Sequence, residues 1–186
     1  MVPLTSLWAP ILLSAIIVFV ASSILHMVLT YHRNDYGRVP AEDQVMEAFR
    51  KFGIAPGDYL IPCAGSPKMM KDPSFIEKMK AGPIVVMTVI KGGSTSMGTN
   101  LALWFLYTIA ISLFAAYITG RALGPGAEYL DVFRFAGCTA FLGYSAALWQ
   151  NSIWFKRSWK ITLKSTFDGL VYSLLTAGTF GWLWPR

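Results

Sequence analysis

The sequence predicts an all-α membrane protein: a four-transmembrane-helix bundle with a small mixed α/β cytoplasmic loop subdomain between helices 1 and 2. Three observations carry that expectation. Apolar residues make up 54% of the 186-residue chain and charged residues only 14%, against roughly 25% in an average soluble domain. The apolar residues are gathered into long uncharged runs. The basic residues fall almost entirely on the segments that would face one side of a bilayer.

No charged side chain precedes Arg33, and none occurs in 100–119, 135–155 or 169–185. A helix rises ~1.5 Å per residue, so ~20 apolar residues cross a ~30 Å hydrocarbon core. Within lipid every backbone N–H and C=O needs an internal partner, which makes each run helical. A β-barrel strand would alternate apolar and polar residues, and Ile16-Ile17-Val18-Phe19-Val20 does not. The predicted spans are 7–29, 100–119, 132–155 and 166–184. The domain reading is transmembrane helix 1 in 1–30, the loop subdomain in 31–98 and helices 2–4 in 99–186. Met1 to Ser6 carries no Lys or Arg, so the first run lacks the basic start of a signal peptide and reads as a retained helix.

Loops on the cytoplasmic side carry the excess of Lys and Arg. Thirteen of the sixteen basic residues lie in the loop after span one or between spans three and four; Arg121, Arg134 and Arg186 are the remainder. Both termini are therefore expected outside, in a bacterial inner (cytoplasmic) membrane. Trp8, Tyr31, Trp104, Tyr117, Trp182 and Trp184 fall near span ends, where such rings settle at headgroup level. The formal charge of +6 is thereby explained by topology, and no nucleic-acid partner is expected.

In the loop, Pro40-Ala41-Glu42-Asp43 reads as a helix start, and Val45, Met46, Phe49 and Phe52 recur at helical spacing before Gly53. Asp72-Pro73 opens a second helix that Gly82 closes. The short apolar segment 58–62 and the β-prone segment 83–90 either pair as a small sheet, or 83–90 is re-entrant. Gly92-Gly93-Ser94-Thr95 reads as a link into span two and lacks the Lys-Ser/Thr pair of a phosphate loop. Cys63 in the loop and Cys138 in a span cannot pair, and both are expected to be buried small residues.

Four groups stand out as candidate sites. His26, His32 and Asp35, at the end of span one, carry metal-ligand chemistry; interfacial histidines with ordinary hydrogen bonds are the alternative. Asp168, at the start of span four, is an intramembrane carboxylate with Gln150 and Asn151 as its expected neighbours on a polar pathway; an ion pair or cap formed with Lys164 is the alternative. Lys156, Arg157, Lys160 and Lys164 suit anionic lipid headgroups. Gly169, Ser173, Ala177 and Gly181 form a strict four-residue packing face, directed at a helix of the same chain or of a partner subunit. No cofactor is predicted. Neither an H-E-x-x-H nor a G-x-S-x-G motif is present. The first functional expectation is a non-enzymatic structural or accessory subunit of a membrane assembly, as a homo-oligomer or with other membrane subunits. The alternatives are a small homo-oligomeric transporter or channel near helices 3 and 4, and a membrane-bound metal-handling protein or enzyme.

Overall fold

The structure is a computed structural model and describes residues 1–93 and 96–186. In chain order the helices are α1 (Trp8–Ser23), α2 (Glu42–Lys51), α3 (Pro73–Ala81), α4 (Met97–Ala122), α5 (Tyr129–Ser145), α6 (Trp149–Trp154) and α7 (Trp159–Trp182); the strands are β1 (Gly57–Ile61) and β2 (Val85–Val89). They divide into two compact units, one made of Met1–Tyr36 with Met97–Arg186, the other of Gly37–Ser96.

In the second unit β1 and β2 pair antiparallel, with Tyr59 opposite Met87 and Ile61 opposite Val85. The β-prone segment 83–90 is thus a strand, and the re-entrant alternative fails because its backbone groups are taken up by a partner strand. Asp72 caps α3 by accepting the Ser74 N–H at 2.8 Å, with Pro73 at the first helical position. No described residue of this unit is buried. Cys63 is exposed rather than buried, as is Cys138 on α5. Ser94 and Thr95, in the predicted link, lie outside the described residues.

In the first unit α1 packs on α4 and α7, and α5 packs on the same two helices, which closes a four-helix ring. Hydrogen bonds fix the helix directions. Val2 N–H donates to Gly120 O at 2.7 Å, Gly126 N–H to Pro185 O at 2.8 Å and Trp184 Nε1 to Gly124 O at 3.0 Å. The start of α1 and the ends of α4 and α7 therefore share one end, and neighbouring helices run antiparallel. Two stretches, Leu4–Val28 and Met97–Ala122, are long and apolar enough to cross a membrane.

Small and hydroxyl-bearing side chains fill the interior. Ser14, Ala15, Thr108, Ser112, Ala136 and Ala177 are buried, while Leu12, Ile16, Phe114, Leu142, Phe167 and Leu174 face outward. The Ser14 and Ser112 hydroxyls meet at 3.0 Å, and Trp104 Nε1 donates to Ser22 Oγ at 2.7 Å, tying α1 to α4. The far end closes on an apolar cluster that includes Leu7, Ile11, Ala116, Val132, Phe180 and Trp184.

The predicted third span is not one helix. α5 stops at Ser145, whose φ of −126° leaves the helical region, and a 3-10 turn (Ala146–Leu148) leads into α6. The break falls opposite Gly169 of α7. A Cβ added at Gly169 would land on Ser145 Oγ, and Ser145 Oγ donates to Thr166 O at 3.3 Å. Gly169, Ser173, Ala177 and Gly181 lie against α5 within the chain: Ala177 Cβ sits 3.0 Å from where a Cβ on Gly137 would be, and Gly181 faces the Tyr129 ring.

Gly169→Ala is expected to cost about 1–3 kcal/mol, the usual range for overpacking. Gly178→Ala is the control, because its added Cβ meets only Tyr129 Oη at 3.7 Å. Thermal unfolding in detergent micelles checks the pair; equal stability of the two variants would contradict the packing described.

Candidate functional site

The site is assembled where α1 ends. Residues Ile24–Val28 form a single π turn, with Leu29 N–H donating to Ile24 O at 3.1 Å across five residues. His26 lies within this π turn, a deformation frequent at functional sites. Leu29 is extended, and a tight turn follows, held by Arg33 N–H to Thr30 O and Asp35 N–H to His32 O, both 3.1 Å. This turn carries Tyr31, His32 and Asp35 back onto the first turns of α7, where Lys164 and Asp168 share one face at four-residue spacing.

The five side chains join end to end. The Tyr31 hydroxyl donates to Asp168 Oδ1. His32 Nε2 lies 2.9 Å from Asp168 Oδ2, and its Nδ1 lies 2.6 Å from Asp35 Oδ2. Lys164 Nζ donates to Asp35 Oδ1 at 2.6 Å and to the Tyr31 carbonyl. Asp168 is the deepest member, its side chain only 4% exposed. A carboxylate in so dry a place costs several kcal/mol unless charged or hydrogen-bonding partners surround it. Each ring nitrogen of His32 lies against a carboxylate oxygen, and each carboxylate has a second partner, the Tyr31 hydroxyl on Asp168 and the Lys164 ammonium on Asp35. The hydrogen bond from His32, then that from Lys164, holds the Asp35 carboxyl below the usual carboxylate range. Burial, with the Asp168 hydrogen bond second, pushes the Tyr31 hydroxyl up, so it stays a donor.

His26 stands beside this chain, its ring centroid 4.6 Å from that of His32. One ligand atom from each of His26, His32 and Asp168 lies within 4.8 Å of the others. His26 and Asp168 also line a cavity of about 540 Å³, with Trp104 and Tyr107 from α4, Tyr144 from α5, and Ser165 and Tyr172 from α7. Tyr144, Asp168 and Tyr172 are buried and form its floor, and exposed Asn100, Leu103 and Tyr107 stand at its mouth. The aromatic wall is continuous: Trp104 lies 5.4 Å from Tyr107 and 6.0 Å from Tyr172, and Tyr144 lies 5.5 Å from Tyr172 between ring centroids. The buried Tyr172 hydroxyl has no hydrogen-bond partner.

The sequence candidates are regrouped by this geometry. His26 and His32 are together, but the carboxylate beside both is Asp168; Asp35 binds the far nitrogen of His32. Lys164 is turned inward to Asp35 instead of toward a headgroup, and it does not pair with Asp168. Lys156 Nζ donates to the Ile153 carbonyl at 3.0 Å; Arg157 and Lys160 are exposed. Gln150 is exposed, Asn151 is half-buried, and neither is among the residues that line this cavity. Sequence reasoning misses Tyr31, Tyr144 and Tyr172 as site residues. The signals that could find them are the density of polar residues in 31–35 and the 164, 168, 172 spacing on α7.

No protein-family model, curated protein or solved structure matches the chain.

A depressed carboxyl pKa adds stability above the group's unfolded value and loses it as pH falls through the folded one. Asp35→Asn is therefore expected to lower stability at neutral pH, and its deficit against the parent should shrink as pH drops below about 3.9, the ordinary Asp value. Thermal unfolding in detergent across pH reads this directly. A deficit that stays constant into acid would contradict the pairing of Asp35 with His32 and Lys164.

Proposed function

We propose that the chain is a four-helix integral membrane protein acting as a membrane-bound enzyme, with Asp168 and His26 as the groups that meet a small molecule in the cavity. The membrane reading rests on the reversal of the usual burial pattern. Large aliphatic and aromatic side chains cover the outside of α1, α4, α5 and α7, whereas small and hydroxyl-bearing ones fill the inside. In water so large an apolar exterior would aggregate; in lipid, small inner residues are what allow helices to approach. Only 28% of each of the two most apolar windows is buried within the chain, so these helices are not the covered core of a soluble fold. At ~1.5 Å per residue, the 24 residues of α7 reach ~36 Å, enough to cross. The basic loops favour a cytoplasmic position for the end that bears the site.

One observation carries the functional reading: a buried carboxylate, held from behind by the Tyr31 hydroxyl and His32, opens on a cavity that an imidazole also lines. A scaffold has no use for so costly an arrangement, and intramembrane ionisable groups mark function. A channel needs a path through the bundle, and the apolar cluster around Leu7, Ile11, Val132 and Phe180 fills the far end. The geometry therefore favours the enzyme class over the accessory-subunit and transport classes.

Purified protein in liposomes, incubated with a lipid and metabolite extract and followed by untargeted mass spectrometry, tests this. The parent should deplete one species and accumulate another, and Asp168→Asn and the exposed-site variant His26→Ala should do so at least ~100-fold more slowly. Identical product profiles for parent and both variants would remove the enzyme reading.

A further inference from the structure

We propose that His26, His32 and Asp168 form a binding site for one divalent first-row transition-metal ion beside the cavity. The proposal rests on the site reading above and names the cofactor it would use. The donor set is two imidazoles and one carboxylate, borderline nitrogen and hard oxygen together, which suits zinc, iron(II) or manganese and suits calcium or copper(I) poorly. It is also the donor count of catalytic rather than structural centres, which keep an open position.

The distances fit without rearrangement of the backbone. Bonds of ~2 Å at tetrahedral angles place ligand atoms ~3.3 Å apart. His32 Nε2 and Asp168 Oδ2 are now 2.9 Å apart, and the three ligand atoms lie within 4.8 Å of one another. The widest gap exceeds that spacing by at most about 1.5 Å. An ion among them would replace the contact between His32 Nε2 and Asp168 Oδ2, binding the neutral imidazole and releasing to solvent any proton held on Nε2.

Those remaining contacts already have the form that metal ligands need around them. A ligating histidine nearly always donates its other ring N–H to a carboxylate, which fixes the tautomer and ring orientation. His32 Nδ1 already lies 2.6 Å from Asp35, and Asp35 is fixed in turn by Lys164 at 2.6 Å. Asp168 likewise keeps the Tyr31 hydrogen bond on its other oxygen. A histidine that served only as a staple between two carboxylates would not need a second imidazole, tilted against it at 4.6 Å between ring centroids, on the cavity side. The cavity itself points the same way. The unpartnered Tyr172 hydroxyl, on the next turn of α7 after Asp168, lies in the same wall. It is left to hydrogen-bond a ligand held in the cavity. The lining of Trp104, Tyr107, Tyr144 and Tyr172 calls for a ligand with an apolar or aromatic body beside that polar atom.

The test uses the full-length protein in detergent, free of any affinity-tag histidines and stripped with a chelator, titrated with Co²⁺ as a visible-absorbing probe. One ion per chain is expected, with ligand-field bands of a low-coordinate nitrogen–oxygen complex. His26→Ala should weaken binding at least ~10-fold, and Asp35→Asn by about 10–100-fold through loss of the outer partner. Gln150→Ala should change nothing. His26 is exposed, so its removal leaves the fold in place and reads the site alone. Absence of saturable one-to-one binding by the parent overturns the proposal, and so does stoichiometric binding that survives His26→Ala. If Co²⁺ does not bind yet Asp168→Asn still abolishes turnover, the metal falls and the catalytic site stands. If Co²⁺ binds with the expected losses in the variants but the parent turns nothing over, the metal site stands and the enzyme reading falls.

Discussion

The burial of the Asp168 carboxylate is the constraint on which the rest of the site depends. A side chain 4% exposed, between apolar helices, holds its charge only if donors reach it, and α7 supplies none on its own. The donors come from Tyr31 and His32, more than 130 residues earlier in the chain. That demand fixes where the chain must go after α1. The π turn at Ile24–Val28 and the tight turn through 30–35 are the local deformations that deliver the two donors. Asp35 then takes the free nitrogen of His32, and Lys164 closes the row. Removal of any member leaves a neighbour with an unmet charge or lone pair in a dry place, so the group stands or falls together.

The two ends of the bundle that holds this row differ in what fills them. At the far end Ala115, Ala116, Ala136 and Gly120 allow close approach, with the Val2 N–H 2.7 Å from the Gly120 carbonyl, and Leu7, Ile11, Val132 and Phe180 fill the space between. At the site end Trp104, Tyr107, Tyr144 and Tyr172 line the cavity. Tyr107 donates to the Gly143 carbonyl at 2.6 Å, just before α5 breaks at Ser145, so the aromatic wall and the break support each other.

Much of the architecture is legible in the sequence because it rests on local signals. Uncharged runs of helical length give the long helices. Asp72-Pro73 gives the start of α3, and the β-branched segment 83–90 gives a strand whose partner at 57–61 is the other short apolar stretch of the loop. The break in the third run is not legible, because nothing in Ser145-Ala146-Ala147-Leu148 disfavours helix; it arises from the close approach of Gly169, a tertiary fact. The site is legible in its parts and not in its pairing. His26, His32, Asp35 and Asp168 can each be picked out by type and position. Yet helical spacing places Asp168 beside Lys164, the order of the spans suggests Gln150 and Asn151 as its neighbours, and only the fold brings it to His32. Tyr31 and Trp104 read as interfacial anchors for the same reason: their bonding partners are remote in sequence.

Whether His32 and Asp168 act as one unit is measured most directly by a double-mutant cycle on that pair. Stabilities of the parent, His32→Asn, Asp168→Asn and the double variant, taken by reversible unfolding in detergent at neutral pH, give the coupling. A coupling energy of about 1–3 kcal/mol is predicted, with the double variant far less damaged than the sum of the single ones. Additive effects, within about 0.5 kcal/mol, would mean that the two side chains do not meet in the folded protein, and the site built on their contact would not exist.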